Sequence, residues 1–298
     1  MKKLILLLLA LTLVLSACGG GKEDSENTIV IGGKKFTEQI ILVNLMSQLL
    51  EEKTDLDVVE KADLGPTDVL QQAMKDGDID IYAEYTGTAY MIVLKEELDT
   101  TDPDVIYDRV KKGYAEKYDI TWLDPFQFNN TYAIAMREEQ AEELGIEKVS
   151  DMQAHSSDLI LGSDFDFLER EDGITNFNEV YGLEWKENKG MDPGLMYSAV
   201  KDGNLDAITA YATDGRIPRF DLRIIEDDKG FFPPYFAAPI MPTEVLEKHP
   251  EIADVLNELA PLLTMEKMAE LNSKVDIDGE RSSTVAKDFL IEEGLISE

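Results

Sequence analysis

The hydrophobic pattern of this chain is written twice. Ile29-Val30-Ile31-Gly32 and Leu159-Ile160-Leu161-Gly162 are short apolar runs closed by glycine, and each predicts a buried strand. Behind the first, Ile40, Ile41, Leu45, Leu49 and Leu50 recur at helical spacing and predict a helix over 38–52 with one apolar face. A longer pair lies elsewhere. Ala73-Met74-Lys75-Asp76-Gly77-Asp78-Ile79-Asp80-Ile81-Tyr82-Ala83-Glu84-Tyr85 can be laid over Ala199-Val200-Lys201-Asp202-Gly203-Asn204-Leu205-Asp206-Ala207-Ile208-Thr209-Ala210-Tyr211, with Ala, Lys, Asp, Gly, Asp and the final Tyr coinciding without a gap. Each copy reads as a helix end, a glycine C-cap and a short strand that delivers one tyrosine to its C-terminal end. That edge is where open α/β sheets bind ligands. Strands alternating with helices predict an α/β fold with largely parallel sheets.

The two copies are not simply consecutive. Phe128-Asn129-Asn130-Thr131-Tyr132-Ala133-Ile134-Ala135-Met136 reads as an extended crossing from one unit to the other, and Phe231-Phe232-Pro233-Pro234-Tyr235-Phe236-Ala237-Ala238-Pro239-Ile240 as the return, stiffened by its prolines. Helices near 243–259, 264–272 and 282–293 are expected to pack back on the first unit. The expected fold is therefore α/β: a two-lobed clamp with two crossing strands at the hinge. Lobe one would comprise 28–129 and 236–298, and lobe two 130–235.

The N-terminus sets the compartment. Lys2 and Lys3 precede an almost unbroken apolar run, Leu4 to Leu15, too short to span a bilayer, and Leu15-Ser16-Ala17-Cys18 follows. This resembles a bacterial lipobox: 1–17 reads as a signal peptide, Cys18 as a lipidated residue and 18–27 as a flexible tether. Cys18 is the only cysteine, so no internal disulfide competes for it. A diacylated cysteine would anchor the protein firmly to the outer face of the cell membrane. With 44% hydrophobic and 30% charged residues the rest supports a sizeable core, and a formal charge of −33 argues against nucleic acid as a partner. Asp76, Asp78 and Asp80 suggest a calcium loop, but Ile81 stands where that loop needs glycine and Gly87 where it needs a bidentate glutamate. His155 and His249 have no metal-ligand spacing, no phosphate-binding or nucleophile-elbow motif occurs in usable context, and no cofactor is expected.

Five segments, in order, carry a resemblance: Gly32-Gly33-Lys34-Lys35-Phe36-Thr37-Glu38-Gln39, Tyr85-Thr86-Gly87-Thr88, Asn130-Thr131-Tyr132-Ala133, Tyr211-Ala212-Thr213-Asp214-Gly215-Arg216-Ile217 and Phe231-Phe232-Pro233-Pro234-Tyr235. The chain is similar in them to the glycine betaine/carnitine/choline-binding lipoproteins of osmoprotectant ABC importers, from about Thr28 to its end. The resemblance implies a periplasmic-binding-protein-like clamp and an aromatic box for the ammonium head, which maps onto Tyr85, Tyr132, Tyr211 and Tyr235. Tyrosine faces attract a trimethylammonium cation that has no N–H to donate, at about 0.5 to 2 kcal/mol each. By motif position the resemblance also implies Lys34 (or Lys35, one register on) and Arg170 as partners of a ligand carboxylate, with Thr88 adding a hydroxyl. The expected partners are a small quaternary-ammonium ligand, a membrane permease and its ATPase; the chain itself would act as a monomer and not as an enzyme.

Plainer readings stand beside these. Tyr82, Tyr90, Tyr107, Tyr114, Tyr118, Tyr181 and Tyr197 read as packing residues, and Arg216 as a structural partner of Asp214. The rival functions are the same fold binding an amino acid or other small solute, a surface hydrolase of choline esters or phosphocholine, and a structural adhesin.

Overall fold

A computed structural model describes residues 27–169 and 173–297. In chain order, the first unit contains β1 (Thr28–Gly32), α1 (Thr37–Lys53), β2 (Asp57–Lys61), α2 (Thr67–Lys75), β3 (Tyr82–Tyr85), α3 (Pro103–Tyr118) and β4 (Ile120–Trp122). The second contains β5 (Tyr132–Arg137), β6 (Ile160–Ser163), α4 (Ile174–Tyr181), β7 (Glu187–Gly190), α5 (Pro193–Lys201), β8 (Ala207–Tyr211) and β9 (Leu222–Ile225). The chain then returns through β10 (Ala237–Pro242) to α6 (Met265–Asp276) and α7 (Ser282–Glu292).

The duplicated pattern becomes a duplicated topology. In lobe two the strand order is β7-β6-β8-β5-β9. In lobe one, β1 pairs with β2, and β10 lies between β3 and β4; an Ile31–Ile81 bridge joins the two parts in the equivalent order. The sheets are more mixed than the strand–helix alternation suggests. β6 runs parallel to β7 and β8, but β5 runs antiparallel to β8 and β9, and β10 antiparallel to β3 and β4. The reason is the crossing: β5 enters lobe two from lobe one, β10 enters lobe one from lobe two, and each starts at the hinge edge where the parallel strands end.

The glycines and aspartates of the repeat do identical work in both lobes. Gly77 (φ +73°) and Gly203 (φ +76°) end α2 and α5 in the left-handed region that glycine tolerates. Asp80 then accepts a hydrogen bond from the Val30 amide at 2.7 Å, and Asp206 accepts one from the Ile160 amide at 2.8 Å. Each carboxylate thus ties its strand connection to an equivalent parallel strand of its own lobe, β1 for Asp80 and β6 for Asp206.

Side chains alternate between the two faces of each sheet, and both faces are buried. Ile81, Ala83 and Tyr85 join one core while Tyr82 joins the other; Ile134 and Met136 oppose Ala135 in lobe two. α1 is wrapped further than a one-faced helix: Leu42, Val43 and Met46 are buried along with the expected positions, and both α6 and α7 pack against it. The expected helix over 243–259 is two short ones, Thr243–Lys248 and Glu251–Leu256. Pro250 between them has no amide hydrogen to continue the ladder.

Candidate functional site

The two crossings lie side by side and form the hinge. Asn129 bridges Phe236 in antiparallel fashion, the Asn130 amide donates to the Tyr235 carbonyl at 3.1 Å, and Asn129 Oδ1 accepts from the Tyr235 amide at 2.7 Å. Thr86 stitches the return to β3: its hydroxyl donates to the Pro234 carbonyl at 2.8 Å and accepts from the Phe236 amide at 3.1 Å. Because the crossings run directly into β5 and β10, their aromatic residues are delivered to the space between the lobes.

Strand register brings two of the expected tyrosines together. Tyr132 opens β5, Tyr211 closes β8, and the two are direct partners. Their ring centroids are 5.0 Å apart and their hydroxyls 3.3 Å apart. Phe167 lies 5.4 Å and Phe232 6.0 Å from the Tyr132 ring. Tyr132, Phe167, Phe232 and Tyr235, with Met91 from lobe one and Asn176 from α4, border a cavity of about 190 Å3. Tyr235 is held there by Gly87: a Cβ on Gly87 would stand 2.8 Å from Tyr235 Cε1 and 2.9 Å from the Pro234 carbonyl oxygen.

Tyr85 sits deeper. It is 4% exposed, stacks on Phe36 at 6.2 Å, and has the Lys34 ammonium 4.9 Å from its ring centroid. Its hydroxyl donates to Glu38 Oε1 at 2.6 Å and accepts from Gln39 Nε2 at 3.2 Å. Burial, reinforced by the Glu38 charge, pushes the phenol well above its ordinary range and keeps that donor protonated. Tyr85 therefore stands behind Phe36 and Glu38, which wall a second cavity of about 470 Å3, with Asn130, Tyr211, Asn272 and Asp276 also on its wall.

The remaining expected residues have distinct places. The Lys34 ammonium makes a buried ion pair with Glu84, whose side chain is fully enclosed, so a ligand carboxylate at Lys34 would have to compete with Glu84. Lys35 is exposed and lies on the wall of the larger cavity. Thr88 is half-buried in the helical turn Thr86–Thr88. Arg216 grips Asp214 through Nε at 2.8 Å and stacks its guanidinium over Tyr197, in keeping with a structural role. Arg170 and Cys18 lie outside the described residues, as do the signal segment and most of the tether.

The structure adds residues that sequence reasoning missed. Glu38 accepts hydrogen bonds from Tyr85, from Asn130 Nδ2 at 2.9 Å and from Asn272 Nδ2 at 3.3 Å, and is bonded to the Thr213 side chain of lobe two. Burial outweighs these bonds and raises its pKa. Asn272 also donates to the Thr213 carbonyl at 3.0 Å, and Gly215 packs against the α6 backbone at Ser273. α6, carried on lobe one, is thus latched to lobe two at this edge of the cleft. Phe167 escaped because a single phenylalanine in a short helix carries no positional signal, and Phe232 because only Tyr235 of its segment maps onto the aromatic box that the resemblance implies. Among the described residues, no cluster of histidine, cysteine or carboxylate side chains is placed to hold a metal, and no helix is long and apolar enough to cross a membrane.

Two lobes, paired crossings and aromatic residues between the sheets define a solute-binding clamp of the periplasmic-binding-protein type. The chain belongs to the family described as the substrate-binding domain of ABC-type glycine betaine transport systems, whose model matches residues 27–292. The carnitine transport binding protein OpuCC of Listeria monocytogenes is 40% identical over 288 residues, covering 95% of this chain and 93% of that protein. A glycine-betaine-binding protein of Pseudomonas aeruginosa is 40% identical over 297 residues, with 95% and 94% covered. A solved structure of a glycine betaine/carnitine/choline ABC transporter component superposes with a TM-score of 0.84 at 32% identity, covering 90% of this chain and 100% of that one. The family is one of substrate-binding components of importers, not of enzymes.

Proposed function

We propose that this chain captures small quaternary-ammonium osmoprotectants such as glycine betaine, carnitine or choline between its lobes and presents them to a membrane permease with its ATPase. The observation that carries this reading is the Tyr132–Tyr211 pair, set by strand register, with Tyr235 across the aromatic cavity that Tyr132 borders. These rings offer π faces to a cation that cannot hydrogen-bond. Phe36, 40% exposed at the cleft, covers Tyr85; its displacement by ligand would add the fourth tyrosine. The names of the relatives support the same ligand class. Ligand contacts to both lobes favour the closed state, with the lobes divided near residues 130 and 235.

A carboxylate tail would meet Lys35 from lobe one and Arg170 from lobe two, with Lys34 held back by Glu84 and Thr88 adding a hydroxyl. Lipidation of Cys18 would tether a monomer outside the cell. Isothermal titration calorimetry tests the central reading. Tyr132→Ala is expected to weaken binding of the preferred quaternary-ammonium solute by about 2- to 30-fold, the equivalent of 0.5 to 2 kcal/mol for one aromatic face. Unchanged affinity, or tight binding of ordinary amino acids in place of these solutes, would sink it. Mass spectrometry of the membrane-associated protein tests the anchor: diacylglycerol on Cys18 is expected, and an unmodified thiol refutes it.

A further inference from the structure

Three of the segments that carry the expected tyrosines meet at one carboxylate. Glu38, near the start of α1, accepts from the Tyr85 hydroxyl at 2.6 Å and from Asn130 Nδ2 at 2.9 Å, two residues before Tyr132. It is also bonded to the Thr213 side chain, two residues after Tyr211. Asn272 Nδ2 completes the set at 3.3 Å. These partners are all neutral, and a ring of donors suits an ionised carboxylate better than an acid. Among the described residues no cation pairs with Glu38. Lys34 of the β1–α1 loop is taken by Glu84, Arg216 by Asp214, and Lys35 is exposed. Asp276 of α6, on the wall of the same larger cavity and bonded to the Thr37 hydroxyl, adds a carboxylate there and not a cation.

Glu38 is only 2% exposed, and its enclosure belongs to the closed clamp. Thr213 comes from lobe two, and Asn272, which also covers the carboxylate, is latched to the Thr213 carbonyl at 3.0 Å. Bringing the lobes together therefore takes a carboxylate out of water without giving it a cation, which is unfavourable. A cation held among the neighbouring rings offsets that cost. It acts through its field and needs no contact with Glu38, because screening is weak in an enclosed site.

We propose that Glu38 is the counter-charge of the bound ammonium head, so that the clamp closes on a cation in preference to an uncharged solute of the same shape. The inference rests on the aromatic-cage reading and adds a second source of selectivity to it. It also makes the ligand and a proton compete, since a protonated Glu38 offers no counter-charge. Cation binding favours the ionised form, so binding releases a proton, and affinity falls as pH falls through the folded pKa of Glu38. Burial places that pKa above the ordinary 4.5. Of the groups around it, Tyr85 keeps its proton, Lys34–Glu84 and Arg216–Asp214 are ion pairs, and Asp276, also raised by burial, is the neighbour whose titration has to be separated.

Calorimetry on the full chain compares choline with its uncharged carbon isostere, in which a tert-butyl group replaces trimethylammonium. Choline is expected to bind tighter in the unaltered protein. Glu38→Gln is expected to lower the choline-to-isostere affinity ratio by about tenfold or more, the scale of one partly buried charge on another. Any factor that the altered hydrogen bonds impose on both probes cancels in that ratio. A ratio that survives in Glu38→Gln refutes the counter-charge and leaves the cage standing. If choline fails to exceed the isostere in the unaltered protein, the cage reading falls and the counter-charge with it. A second measurement needs no variant. Choline titrations in buffers of different ionisation enthalpy, from pH 4.5 upward, are expected to show proton release that fades above the folded pKa, while the isostere shows none. No release at any pH refutes the competition. Release that persists in Glu38→Gln assigns it to Asp276 and overturns the role given to Glu38.

Discussion

Gly215→Ala should hold the clamp open without harming either lobe. Gly215 has φ −63° and ψ −15°, a helical conformation that alanine adopts freely, so the substitution introduces no backbone strain. Its Cβ would nevertheless stand 2.5 Å from Ser273 Cβ and 2.7 Å from Ser273 Cα and N on α6. Ordinary contact begins near 3.4 Å, and a helix backbone cannot move aside as a flexible side chain can. The lobes must therefore separate by roughly 1 Å at this edge, the scale on which packed interfaces lose their contacts. The bonds at risk are Asn272 to the Thr213 carbonyl and Glu38 to the Thr213 side chain. At about 0.5 to 1.5 kcal/mol each, their loss removes about 1 to 3 kcal/mol from closure and weakens ligand binding roughly 5- to 150-fold. Calorimetry gives the affinity, and small-angle scattering with and without ligand reports closure. Thermal unfolding of the ligand-free variant should be unchanged or slightly raised, since glycine-to-alanine at a compatible site restricts the unfolded chain. Wild-type affinity with wild-type compaction would refute the argument that this contact belongs to the closed state.

Three further outcomes follow from the same geometry. Gly87→Ala drives a Cβ into the Tyr235 ring and should weaken solute binding by about 2- to 30-fold, the loss of one aromatic face; in a Tyr235→Ala background calorimetry should show a much smaller effect, and an equal effect would mean that Gly87 does not position that ring. Lys34→Met strands the enclosed Glu84 and should destabilise the fold by about 3 to 5 kcal/mol in urea unfolding, with Lys34→Met/Glu84→Gln recovering most of it; no loss in the single variant would refute the buried pair. Glu38 has a folded pKa raised above the ordinary 4.5, chiefly by burial, so the native state holds its proton more tightly than the unfolded chain. Its contribution is therefore most favourable below that value and declines as pH rises through the folded pKa; unfolding of Glu38→Gln across this window should lack that decline, and identical pH profiles would exclude it.

How far these features can be read from sequence depends on how local their causes are. Gly77 and Gly203 were legible as helix caps because a left-handed residue after a helix is specified by its immediate neighbours. The tyrosines closing β3 and β8 were legible because a repeated strand end puts equivalent residues at equivalent edges. The mixed direction of the sheets was not, although the crossing segments that cause it were visible. Recognising it required knowing that β5 and β10 insert between strands of the opposite lobe. The role of Asp80 and Asp206 was hidden for a similar reason: the sequence around Asp76–Asp80 excludes a calcium loop, but that the two carboxylates clip strands is visible only from the adjacent amides of Val30 and Ile160.

The site divides along the same line. Periodicity, the repeat and the ordered motifs determined the two-lobed α/β plan and three aromatic positions that meet around the cleft, Tyr132, Tyr211 and Tyr235, since register and strand ends are consequences of local pattern. Tertiary structure alone decided that Lys34 is held by Glu84, that Tyr85 stands behind Phe36 and Glu38, and that Asn272 reaches Thr213 from a helix near the other end of the chain. The partner of a buried charge or amide is chosen by which surfaces the lobes press together. Those surfaces come from segments far apart in sequence, whose pairing leaves no periodic trace in either one.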